Sequence, residues 1–85
     1  MTTSPARTAV MYVQELPDGS WIGNASAGGR TLTEGGMDAG TVVRHLAGYL
    51  ADMPDAERPQ MVKLTTIPRA GERGERESDL AGLLG

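Results

Sequence analysis

Residues 9–27 read AVMYVQELPDGSWIGNASA, and the fold turns on this stretch. Ala9–Leu16 is rich in β-formers and free of glycine and proline. As a strand it sets Val10, Tyr12, Gln14 and Leu16 on one face and Ala9, Met11, Val13 and Glu15 on the other. Apolar residues on both faces at its start mark a central strand. Pro17-Asp18-Gly19 follows at once. Proline presets φ, aspartate tolerates turn geometry and glycine accepts positive φ, so the run predicts a β-hairpin. The return strand is Ser20–Ala27, with Trp21, Gly23 and Ala25 on one face and Ile22, Asn24 and Ser26 on the other.

Working outward, Gly28-Gly29 ends the second strand and Arg30–Glu34 reads as a short third one, closed by Gly35-Gly36. Asp38 stands where an N-cap is needed. A helix is predicted over Ala39–Met53, because Ala39, Val42, Val43, Leu46, Tyr49, Leu50 and Met53 recur at spacings of three and four. Thr41, Arg44, His45, Gly48 and Asp52 take its other side. Gly40 and Gly48 each cost about 1 kcal/mol relative to alanine, so the helix needs tertiary contact to persist. Pro54 ends it, Asp55–Pro59 forms a loop, and Gln60–Ile67 reads as a fourth strand up to Pro68. Its faces are Val62, Leu64 and Thr66 against Met61, Lys63, Thr65 and Ile67.

Residues 1–8 are expected as a flexible N-terminus and residues 69–85 as a charged flexible C-terminal tail. Leu80, Leu83 and Leu84 make a short apolar tag on that tail, suited to a disordered end or to docking on a partner. Residues 9–68 are expected to form a two-layer α+β domain of order β-β-β-α-β, an antiparallel sheet covered by one helix.

Composition narrows the functions available. The chain has 85 residues, 39% of them hydrophobic, with one Trp, two Tyr and no Phe. A chain of this size buries only about 60–65% of its unfolded surface. The core must be Val, Leu, Ile, Met and Ala around Trp21, which excludes a large substrate cavity and favours a homodimer or another partner. There is no cysteine, hence no disulfide and no thiolate metal site, and a single histidine. The formal charge is −3, and residues 9–68 carry four bases against seven acids. That sign repels a phosphate backbone and fits a basic protein partner. No run of apolar residues is long enough to cross a membrane and no leader pattern opens the chain, so the expected compartment is the cytoplasm.

Catalytic constellations are not evident. Glu15 and Glu34 near strand ends are the only strand carboxylates offered for a metal, and they read as solvated residues. His45 has Asp52 two turns away and Thr41 one turn before it, which supplies neither an orienting carboxylate in reach nor an activated nucleophile. Gly35-Gly36 lacks the further glycine and the Lys-Ser/Thr of a phosphate loop. No cofactor is expected, and the chain reads as a non-enzyme.

The run Asp18-Gly19-Ser20-Trp21-Ile22-Gly23, the segment Arg30-Thr31-Leu32-Thr33-Glu34-Gly35-Gly36, the amphipathic helix and the closing strand resemble the HicB antitoxin family. The resemblance covers residues 9–67 and the family's N-terminal, partial RNase H-like domain, with Thr33-Glu34-Gly35 at its Thr-x-Gly segment. It implies a small dimerising module that binds or neutralises a basic protein. Residues 68–85 hold no helix-turn-helix or ribbon-helix-helix, so DNA autorepression is not carried over. The candidate partner interface is Tyr12, Trp21, Arg30, Arg44 and His45. The alternatives are a nucleic-acid binder that uses Trp21, Tyr12 and Arg30 on an exposed sheet face, and an accessory subunit of a biosynthetic system.

Overall fold

The computed structural model describes residues 7–84. The chain runs β1 (Thr8–Glu15), β2 (Trp21–Ala27), β3 (Arg30–Gly36), α1 (Ala39–Ala51), β4 (Met61–Ile67), β5 (Gly74–Asp79) and α2 (Leu80–Leu84). It is a small α+β domain with one five-stranded mixed sheet of order β3-β2-β1-β4-β5. β1 is central, as its two-sided apolar pattern requires. It pairs antiparallel with β2 and parallel with β4, setting Met11 opposite Ala25 on one side and Leu64 on the other.

Both hairpin turns are built by local chemistry. In the first, the Gly19 amide donates to the Leu16 carbonyl at 2.9 Å, and the Asp18 carboxylate accepts from the Ser20 amide at 2.9 Å and hydroxyl at 2.6 Å. Gly28 and Gly29 have φ of 58° and 78°, the doubly left-handed backbone of a type I′ turn. That two-residue loop fixes the register of β2 on β3 through the Ala27–Arg30 pair.

Alternation then decides what is buried. Ala9, Met11 and Val13 of β1, Ala25 of β2, and Val62 and Leu64 of β4 face α1, which contributes Val42, Val43, Leu46, Ala47 and Leu50. α1 lies across β2 and β3. It gets close because Gly23 has no side chain. A Cβ there would stand 2.6 Å from Val42 Cγ1, 2.9 Å from Val13 Cγ1 and 3.0 Å from Leu46 Cδ1. Asp38 caps α1, accepting from the Thr41 amide at 2.8 Å and hydroxyl at 3.0 Å. The helix ends two residues before Met53. Arg58 then donates from Nε to the Ala51 carbonyl and from Nη2 to the Met53 carbonyl, both at 3.1 Å, satisfying acceptors left by the last turn.

Three expectations change. Thr8, placed in the flexible N-terminus, already belongs to β1, and the Arg7 carbonyl accepts from the Gln60 and Met61 amides; residues 1–6 lie outside the described residues. The sheet has five strands rather than four and is mixed rather than antiparallel, because β4 enters parallel to β1. Most of the predicted flexible tail is β5 and α2. β5 pairs along β4, and Leu80 and Leu83 are buried, with α2 packed on α1. Composition misled because β5 exposes nearly all its side chains; what orders it is the backbone ladder and the leucines that follow.

Gly23→Ala is expected to destabilise the domain by about 1–3 kcal/mol in urea unfolding, through overpacking under α1. Leu83→Ala is expected to cost roughly 2 kcal/mol by removing the anchor of the C-terminal segment. A Leu83→Ala variant as stable as the parent contradicts the docked position of α2.

Candidate partner-binding surface

Among the described residues, a sheet covered on one face by α1 and α2 leaves the other face open. Strand parity assigns its members. Val10, Tyr12 and Gln14 come from β1, Ile22, Asn24 and Ser26 from β2, and Thr31 and Thr33 from β3. Lys63, Thr65 and Ile67 come from β4, with Glu77 opposite Lys63 and Glu75 opposite Thr65. One row across the strands therefore reads Thr33, Asn24, Tyr12, Thr65, Glu75. Tyr12 is 43% exposed and Ile22 41%. A shallow cleft of about 420 Å³ runs between β1, β4 and β5, with Tyr12 on one wall, Thr65 in its floor and Glu75, Glu77 and Lys63 around it.

The opposite side of the molecule carries a second polar group. Glu34, at the β3 edge, accepts from the Tyr49 phenol at 2.8 Å and from the Gly35 amide at 3.2 Å. These bonds, the phenol's first, hold the Glu34 carboxyl below its ordinary range, and the nearby His45 lowers it further. Glu34 in turn pushes the Tyr49 phenol above its usual value. Glu34, His45, Gly48, Tyr49 and Asp52 line a broad depression of about 600 Å³ on the flank of α1. Tyr49, expected in the apolar stripe of the helix, is 48% exposed instead, and Ala47 takes a buried place.

The five candidate interface residues do not form one surface. Tyr12 alone lies on the open sheet face. Trp21 has the parity of Gly23 and Ala25 and packs, half-buried, against the core under α1. Arg30 is at the far end of the β2–β3 hairpin, 3.9 Å from Glu57. Arg44 and His45 are exposed on α1, where Arg44 donates to the Thr41 hydroxyl at 3.3 Å. The stacking platform of Trp21, Tyr12 and Arg30 is thus split between two faces. Sequence reasoning passed over Glu75 and Glu77, although acids at alternate positions in residues 74–79 carry the period of a strand. It also passed over the Glu34–Tyr49 bond, which joins residues fifteen positions apart.

Chemically, the open face offers an aromatic surface, hydroxyls and two carboxylates beside one ammonium. Among the described residues no three His, Asp or Glu side chains gather closely enough to hold a metal ion. Among the same residues no helix is long and apolar enough to cross a membrane. Comparison with known proteins returns no matching family model, curated protein or solved structure.

The acid–phenol pair sets a pH dependence. The lowered carboxyl of Glu34 contributes stability above its unfolded titration range, lost as pH falls through the folded value; the raised phenol of Tyr49 contributes below its usual value and is lost as pH rises through the folded one. Tyr49→Phe is expected to move the Glu34 titration, followed by side-chain carboxyl NMR, upward toward the ordinary range. An unmoved Glu34 contradicts the bond.

Proposed function

We propose that the chain is a non-enzymatic interaction module that binds a basic protein partner across its open sheet face and, in the manner of a HicB-type antitoxin, neutralises it. One observation carries this reading: Tyr12 and Ile22 stand exposed on a sheet face that no helix of the described residues covers, and Glu75 and Glu77 line the same cleft as Tyr12. An arginine or lysine of the partner laid across Tyr12 packs its aliphatic stem on the ring while its charged head reaches toward the carboxylates that line the same cleft. The apolar side chains of Val10 and Ile22 supply the contact area around that anchor. Lys63 on the same face repels a uniformly basic surface, so it selects where the partner's cations must sit. The net charge of −3 adds attraction at long range.

The same carboxylates repel phosphate, and Trp21 and Arg30 lie away from Tyr12, so a protein is favoured over nucleic acid as the occupant of this face.

The test is capture from the native host with the parent chain, Tyr12→Ala and the double variant Glu75→Lys, Glu77→Lys, followed by titration of the recovered partner. A basic protein held by the parent is expected to bind Tyr12→Ala about tenfold or more weakly, and the double variant more weakly still with a flatter salt dependence. A partner that binds all three equally removes the open face from the reading. Labelled RNA at low salt is expected to show no salt-sensitive binding.

A further inference from the structure

The two edges of the sheet are built differently. β5 presents Glu75, Arg76 and Glu77, all exposed. Two β5 strands paired about a dyad at Arg76 would set Glu75 against Glu77 of the other copy, and a dyad at Glu77 would set Glu75 against Asp79. Both registers oppose like charges, which is how edge strands avoid pairing. β3, the other edge, reads RTLTEGG. It has no proline, no lysine and no bulge in its register with β2, and its two charged residues, Arg30 and Glu34, are of opposite sign.

The hairpin turn says which backbone groups of β3 are free. In a two-residue hairpin the flanking pair, here Ala27 and Arg30, is hydrogen-bonded. Bonding then alternates, so Arg30, Leu32 and Glu34 bond to β2 while the amides and carbonyls of Thr31, Thr33 and Gly35 point outward. Two copies paired antiparallel about a dyad at Leu32 join Thr31 of each to Thr33 of the other in hydrogen-bonded pairs. The same register sets Arg30 of each copy opposite Glu34 of the other on one face, two opposite-charge pairs generated by one sequence. Shifting the dyad to Thr31 or Thr33 loses both charge pairs. Glu34 retains lone pairs for Arg30 beside its bonds to Tyr49 and Gly35.

The helices agree with this register. A dyad normal to the sheet keeps both helical layers on one side. α1 lies across β2 and β3, so its axis falls about 5 Å from a dyad placed half a strand spacing beyond β3. The two α1 helices then lie about 10 Å apart, the ordinary spacing of packed helices. Their facing flanks carry His45 and Tyr49, which line the depression beside Glu34.

We propose that the protein forms a two-fold dimer through antiparallel β3–β3 pairing centred on Leu32, giving a continuous ten-stranded sheet with an Arg30–Glu34 pair on each side of the dyad and the two α1 helices in contact. This uses an edge and a helix flank, not the open face, and stands whether or not that face binds a partner.

The experiment is light scattering behind size exclusion, with circular dichroism to verify folding. The parent chain is expected to be a dimer at ~100 µM. Thr33→Pro removes only an outward amide and is expected to remain folded with a dissociation constant raised about tenfold or more. Arg30→Glu and Glu34→Arg are each expected to weaken the dimer, because each sets like charges across the dyad. Mixing those two variants restores both charge pairs in a heterodimer, and the double variant Arg30→Glu, Glu34→Arg restores them in a homodimer. A monomeric parent overturns the proposal. So does a folded Thr33→Pro that dimerises like the parent, or a mixture of the two charge variants that forms no heterodimer.

Discussion

The close approach of α1 to the sheet at Gly23 governs the architecture. With Val42, Val13 and Leu46 packed around the place a Cβ would occupy, the helix is held against β2 and across β3. That position covers one face of the first hairpin and leaves the β4–β5 side of the same face to be closed by something else. α2 closes it with Leu80 and Leu83, packed on α1. A core without phenylalanine, with one partly buried tryptophan, is adequate because the layers lie this close. Large side chains would hold helix and sheet apart, and the small residues Ala9, Ala25 and Ala47 at the interface serve the same close contact.

Among the described residues the helices cover one side of the five strands. The consequence is a molecule with one dry face, one open face and two unlike edges. On the open face Tyr12, Ile22 and a row of hydroxyls meet the carboxylates of β5. The charge alternation of β5 turns one edge away from further pairing, and the threonines and glycines of β3 leave the other available. The proposed partner binding and the proposed dimer are two uses of surface that the helical layer does not reach.

Much of this was legible in the residues, and the reasons are local. Pro17-Asp18-Gly19 names a turn, Asp38 names a helix start, and the strand period groups the side chains of Ala9–Val13 and of Trp21–Ala27 that share a face. What escaped is non-local. β5 has no apolar alternation because both of its faces are wet. Its order comes from a ladder to β4 and from leucines beyond it, and neither leaves a mark on the composition of residues 69–78. Tyr49 fits the apolar spacing of α1, yet it stands at the margin of the stripe, where Glu34 gives its hydroxyl a partner. Of the candidate interface, the register of β1 on β2 set Tyr12 apart from Trp21, and the sequence had no way to say that Arg44 and His45 lie on the far side of the sheet from Tyr12.

By itself the sequence determined the two hairpin partners of the first three strands, the cap and buried stripe of α1, and which side chains of each strand share a face. These depend on turn chemistry and on the periods of strand and helix, which act over a few residues. Only the tertiary structure decided that β4 runs parallel beside β1, that a charged tail becomes the fifth strand, and which face stays open. Those outcomes depend on contacts between segments some fifty residues apart, such as Ala9 with Val62. Their energy lies in backbone pairing and shared burial, which no single stretch of the chain expresses.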